Sequence, residues 1–225
     1  MRIDILSLFP EMFAPLKESI IKRAVSDEKV VINIINIRDF ASAPHYKCDD
    51  EPFGGGAGMV MMCEPIYKAI ESIKTADSKI FYMSPRGKKF SQTKAREMAE
   101  LNHILLLCGH YEGVDQRVID MFNIEEISIG DYILTGGELP AMVVTDAIVR
   151  LIPNVITPDS IVEESFSNDL LEYNQYTRPS VFMGYSVPEV LLSGNHKKIA
   201  EYRKAQSIEI TKKNRPDLLQ DKMEY

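Results

Sequence analysis

The chain has no tryptophan, three cysteines, and no apolar run near the roughly 20 residues that a membrane span needs. Each shortage excludes something. Cys48, Cys63 and Cys108 are odd in number and form no C-x-x-C, which argues against a disulfide scaffold and fits a reducing cytoplasm. Packing is the expected role of all three. His45, His103, His110 and His196 have no zinc-ligand spacing, so no bound metal is expected from them. Neither G-x-G-x-x-G nor G-x-x-x-x-G-K-[ST] occurs, which weighs against a dinucleotide or triphosphate cradled by a glycine loop. The opening "MRIDILSLFP" is briefly apolar, but Asp4 interrupts it and no A-x-A-like cleavage site follows. It reads as a first strand, not a signal peptide.

What is present fits a globular protein. The 225 residues are 45% hydrophobic and 26% charged, enough for one large domain or a large and a small one. The net charge of −7 argues at face value against a nucleic-acid partner. Its distribution does not. Residues 1–170 carry −9, whereas 171–225 carry +2 and the stretch 195–215 alone carries +5. A basic element on an acidic protein is either a phosphate-contacting face or a solvated helix surface, and composition leaves both open.

Along the first 150 residues, strand-like and helix-like segments alternate. Strands are expected at Arg2–Leu8, Val30–Ile37, Lys79–Met83, His103–Cys108 and Ile124–Ile129. Helices are expected at Pro15–Val25, Cys63–Ile73, Gln92–Leu101, Val114–Phe122 and Pro140–Leu151. The pattern predicts an α/β fold, a mostly parallel sheet with helices on both faces. The domain expected from it spans 1–156. A polar, acidic linker follows at 157–169, then a small helical domain at 170–225, in which Asn195 caps a long helix ended by Arg215-Pro216. An apolar stripe on that helix is expected at Ile199, Tyr202, Ala205/Gln206 and Ile208/Glu209.

Three loops leave the carboxyl ends of strands, where ligands of such sheets bind: "SPRGKK", "GHYEGVD" and "GDYILTGG". Lacking a phosphate fingerprint, they would grip a ligand by backbone amides and carbonyls, with glycine allowing close approach. Adenine suits such a grip, and Ile129, Tyr132, Ile133 and Leu134 could cover its faces.

Seven stretches taken in order carry a resemblance: "LFPEMF" (8–13), "DDEPFGGGAGMVM" (49–61), "YMSPRGKKF" (82–90), "LLCGHYEGVDQRV" (106–118), "SIGDYILTGGELPAM" (128–142), "QYTRP" (175–179) and "LLSGNHKKIAEYR" (191–203). Together they resemble the bacterial tRNA (guanine-N1)-methyltransferases, over nearly the whole chain. The resemblance implies methylation of N1 of guanine 37 in tRNA, beside the anticodon, with S-adenosylmethionine as donor. It also implies a deep trefoil knot of the SPOUT type and a homodimer, with no DNA or membrane partner. Magnesium is implied as a helper, with no dedicated cage. The implied cofactor-binding residues are Tyr82, Ser84, Pro85, Gly109, Tyr111, Glu112, Gly113, Ser128, Ile129, Gly130, Asp131, Tyr132, Ile133, Leu134, Gly136, Gly137 and Pro140.

Methyl transfer to guanine N1 needs a base for the N1 proton and a cation or donor for the charge that builds on O6. By the resemblance, Arg150 is the arginine and Glu164 of "VEESF" is the base, with Asp169 and Glu163 as alternatives. The family usually has Asp-Ser-Phe here, so Glu164 brings one extra methylene. It often has tryptophan where this chain has Tyr202. The RNA-binding residues expected are His45, Gly55, Arg178, His196, Lys197, Lys198, Arg203, Lys212, Lys213 and Arg215. The glycines at 54, 55, 56 and 58 could form an anion-binding nest or a plain surface turn; the resemblance sets this loop against RNA or a second subunit. The linker around Glu164 is expected to be disordered without RNA and to order over a flipped guanine. Competing readings are a nicotinamide-dependent oxidoreductase, a catalytically weakened RNA-binding relative, and a knotted methyltransferase acting on another RNA.

Overall fold

The structure, a computed structural model, describes residues 1–157 and 163–220. It divides into two compact units, Met1–Ile156 and Thr157–Tyr225.

In the first unit β1 (Arg2–Ser7), β2 (Val31–Asn36), β5 (Ser78–Lys89), β6 (His103–Cys108) and β7 (Glu125–Ser128) form one sheet in the order β2-β1-β6-β5-β7. Every pairing in it is parallel. The period of two sorts its side chains. Ile3, Ile5, Ile104 and Leu106 pack with α1 (Ser19–Ser26), α3 (Gln92–Ala99) and α5 (Glu138–Val149). Leu6, Leu105 and Leu107 pack on the other face with α2 (Cys63–Ile73) and α4 (Gln116–Phe122). Burial on both faces explains why "HILLLC" is apolar throughout instead of alternating. Each such side chain stabilises the fold by about 1.5–3 kcal/mol.

Several boundaries differ from the sequence expectation. Pro15–Val25 is not one helix: a 3-10 helix covers Pro10–Lys17, and α1 starts afresh after an extended Glu18. The break falls at Glu18, which is extended, and at Ser19, whose φ of +53° is left-handed and cannot continue a right-handed helix. The third strand does not stop at Met83. β5 runs on through "SPRGKK" to Lys89, with a register shift against β7 between Met83 and Lys88. A bulge absorbs the proline and glycine that suggested a loop. β3 (Asp49–Asp50) and β4 (Val60–Met61) pair at the base of the glycine-rich loop.

A buried polar node crosses the sheet near the start of its strands. Asp4 is fully buried in β1. It accepts from Arg2 (Nη2, 2.6 Å; Nε, 3.1 Å), from Asn33 of β2 (2.7 Å) and from His103 of β6 (Nε2, 2.9 Å). His103 Nδ1 lies 2.7 Å from Ser78 Oγ at the start of β5, and that oxygen already accepts the Thr75 N–H at 2.7 Å. Asp4 as a carboxylate only accepts, so His103 Nε2–H donates to it. Four of the five strands meet in this node.

The second unit is not purely helical. β8 (Val181–Phe182) and β9 (Tyr185–Ser186) make a hairpin ahead of α6 (Glu189–Leu192), α7 (His196–Asn214) and α8 (Asp217–Gln220). Asn195 caps α7, its Oδ1 accepting the Lys198 N–H at 3.1 Å. The buried positions of α7 are Ser207 and Thr211, not the expected apolar stripe. Thr211 Oγ1 donates to the Ser207 carbonyl at 2.6 Å and accepts the Leu171 N–H at 2.8 Å. Small hydroxyl side chains let the extended stretch before the hairpin lie close to the helix.

Candidate active site

The carboxyl ends of β5, β6 and β7 open into a cavity of about 280 Å3. The loops after β6 and after β7 close on each other there. The Gly137 N–H donates to the Gly109 carbonyl at 2.8 Å, and His110 bridges to Gly136. Two glycines make the approach possible. A Cβ on Gly137 would stand 2.7 Å from Cys108 Cα and 2.9 Å from the Gly109 nitrogen, both backbone atoms. A Cβ on Gly109 would meet the Tyr82 ring at 2.7 Å. Gly137→Ala is therefore expected to cost about 1–3 kcal/mol by overpacking. It should also abolish ligand uptake, as read by calorimetric titration beside a thermal melt.

Of the expected cofactor residues, Tyr82, Ser84, Pro85, Gly109, Tyr111, Glu112 and Gly113 line this cavity. So do Ser128, Ile129, Gly130, Tyr132, Ile133, Leu134, Gly136, Gly137 and Pro140. Asp131 does not; its exposed carboxylate pairs with Lys89 at 2.6 Å. Met83, His110, Ile127 and Thr135 line it too, and sequence reasoning missed them. His110 is the informative addition. Its ring leans on Phe9 and Tyr111, yet its Nδ1 is buried with no hydrogen-bond partner among the described residues. A buried ring nitrogen left so is costly unless a ligand meets it. Its place inside "CGHYEG" was the available signal.

The lining combines backbone and hydroxyl groups with one carboxylate, Glu112. Burial pushes the Tyr82 hydroxyl up, so it stays a donor at neutral pH. Burial, and then the neighbouring Glu138 carboxylate, push the Cys108 thiol well up, so it is no nucleophile. Glu138 itself is buried at the start of α5, where it accepts from Ser7 Oγ at 2.7 Å. That position suits an acid, because the amino end of a helix carries partial positive charge. Backbone-lined walls, apolar cover from Ile129 and Leu134, and the orphan His110 nitrogen fit an adenosyl ligand. Among the described residues there is no cluster of three or more His, Cys, Asp or Glu that could hold a metal ion, and no helix is long and apolar enough to cross a membrane.

The remaining expected residues fall elsewhere. Arg150 caps the end of α5, half-buried, its N–H donating to the Asp146 carbonyl at 3.2 Å. Glu164 belongs to the second unit, half-buried in a turn, its carbonyl accepting the Ser167 N–H at 3.2 Å. Linker residues 158–162 lie outside the described residues, whereas 163–169 form turns and bends. Within them Glu163 accepts from the Tyr173 hydroxyl at 2.5 Å and pairs with Arg203 at 3.5 Å. His45 is exposed, and Gly55 is exposed with a φ of +77° that favours glycine. His196, Lys197 and Lys198 stand exposed on the first turn of α7, with Lys212 and Lys213 on its last. Arg178 is exposed, and Arg215 pairs with Asp217 at 2.6 Å.

Comparison with known proteins follows the same direction. A family model described as "tRNA (Guanine-1)-methyltransferase TrmD" matches residues 1–221. A tRNA (guanine-N(1)-)-methyltransferase of Alkaliphilus oremlandii is 56% identical over 98% of this chain and 93% of its own length. One of Caldanaerobacter subterraneus subsp. tengcongensis is 57% identical, covering 97% and 92%. One of Clostridioides difficile is 54% identical, covering 97% of each.

Proposed function

The chain belongs to the tRNA (guanine-1)-methyltransferase family, and from that premise we propose that it methylates N1 of guanine 37 in tRNA. The observation that carries this reading is the cavity itself: in a chain matched to that family over residues 1–221, three loops build an adenosyl-sized cleft without a phosphate fingerprint. S-adenosylmethionine bound there supplies a methyl group made electrophilic by its sulfonium. The protein's own residues do the rest. The carboxylate of Glu164 takes the N1 proton, and the guanidinium of Arg150 faces the charge that gathers on O6. The loop walls fix the donor's orientation, so that acceptor and methyl group meet in line.

The second unit is assigned to RNA. Lys197 and Lys198 sit at the first turn of α7, where cations oppose the helix dipole. Two lysines there are unfavourable alone and favourable with a phosphate between them and the free amide groups of the turn. Magnesium, the knotted threading of the chain and a homodimer belong to the same proposal.

The test is transfer of labelled methyl to an unmodified tRNA with guanine at 36 and 37, with and without magnesium, followed by nucleoside analysis. Label in 1-methylguanosine, lost when position 37 is adenine, is the expected result. Binding of tRNA without transfer would instead identify a catalytically weakened relative, and label in another nucleotide a different substrate.

A further inference from the structure

The second unit has a cavity of its own, of about 410 Å3. One wall is the extended stretch from Tyr173 to Arg178, with Leu191 and Ile199 supplying apolar cover and Arg203 reaching in from α7. The wall is held from behind. Leu171 N–H donates to Thr211 Oγ1 at 2.8 Å, and Asn174 N–H to Gln206 Oε1 at 3.3 Å. Its side chains are thus presented rather than collapsed onto the helix.

Charge does not mark this wall as a phosphate site. Glu163 already pairs with Arg203, whose guanidinium also lies 4.6 Å over the Tyr173 ring. Glu172 holds the Gln175 amide at 2.6 Å, which adds a second carboxylate beside the cavity. Glu163 and Glu172 offset the charge of Arg203 and of Arg178, which also lines the cavity, so the wall carries no surplus of positive charge. The same wall suits a flat, neutral, hydrogen-bonding group. Tyr176 leaves 46% of its surface exposed. Asn174 brings an amide that both donates and accepts. Arg203 keeps a buried Nε–H that has no partner among the described residues. Aromatic faces and amide edges are what hold unstacked bases of single-stranded RNA.

We propose that this cavity holds one unpaired base of the bound RNA, stacked on Tyr176. The proposal rests on the RNA-methylating reading above. It takes Arg203 out of the set of phosphate contacts and makes it part of a base pocket.

The experiment measures binding of an anticodon stem–loop RNA by anisotropy over a salt series. Loss of a stacked base weakens binding about 5- to 150-fold. Tyr176→Ala is expected to fall in that range with the salt slope unchanged, while Tyr176→Phe binds like the parent. Lys198→Ala, at a phosphate contact, should lower the slope by about one. A change of less than about twofold in Tyr176→Ala would overturn the pocket, as would a loss accompanied by a slope drop of about one. Tyr176→Trp guards against a folding defect in the alanine variant, because the chain has no other tryptophan. Its emission should be quenched by the stem–loop and not by ribose 5-phosphate. Absence of quenching with RNA bound overturns the stacking. If the parent protein neither binds nor methylates the RNA, the proposed function fails; if it does both and the Tyr176 results fail, only the pocket does.

Discussion

Glu164→Gln is expected to lower single-turnover methyl transfer by about 10²- to 10⁴-fold while leaving cofactor affinity unchanged. The amide has the size of the acid and keeps an acceptor oxygen, but it cannot take the N1 proton. Glu164 belongs to the second unit and the cavity at the ends of β5, β6 and β7 to the first, so the two measurements report on separate parts of the chain. Arg150→Ala should cost about 10²- to 10³-fold, the usual loss when a donor aimed at a developing oxyanion is removed. Rapid-quench assays with labelled donor read both. Near-normal transfer in Glu164→Gln would shift the base to Asp169. Glu163, whose carboxylate is engaged by Tyr173 and Arg203, is the second alternative.

Asp4→Ala is expected to destabilise the first unit by about 3–5 kcal/mol. The substitution removes one carboxylate and takes the acceptor from four donor atoms, two on Arg2 and one each on Asn33 and His103. His103 is buried and Asn33 half-buried, so their stranded donors set the size of the effect, whereas Arg2, 40% exposed, can turn to water. At about 2–4 °C per kcal/mol for a chain of this length, the melting temperature should fall by roughly 6–20 °C. Calorimetry reads it directly. A second substitution, His103→Leu, removes one stranded donor, so the double variant should lose less than the two single losses combined. Strict additivity would show that the node is not a coupled unit.

Much of this molecule is legible in its sequence, and the parts that are not share a cause. Strand β6 and helix α2 are recovered residue for residue, because "HILLLC" and the spacing of Ile66, Ala69 and Ile70 are local patterns. The Asn195 cap is local too. The continuation of β5 through "SPRGKK" was hidden, since proline and glycine signal a loop unless a partner strand tolerates a bulge, and β7 lies 36 residues further on. Asp4 looked like a mere interruption of an apolar run; its partners come from residues up to 99 positions away. In the candidate site, the glycine loops announced the cavity, while His110 was passed over. Nothing local to a histidine tells that its ring nitrogen ends up buried and unpaired. Asp131 comes into the expected set through the resemblance, and its side chain turns to a lysine of β5.

The strand order has a consequence for synthesis. β1 is an interior strand, but its neighbour β6 ends at Cys108, about a hundred residues later. As the chain leaves the ribosome, β1 can pair only with β2 until β6 emerges. At about 5–20 residues per second, that interval is on the order of ten seconds. During it the β6-facing edge of β1 is an open template, and Ile3 and Ile5 lack the cover of α5. A nascent chain stalled before His103 should therefore bind a chaperone that recognises exposed apolar strands, and one released after Cys108 should progressively lose that affinity.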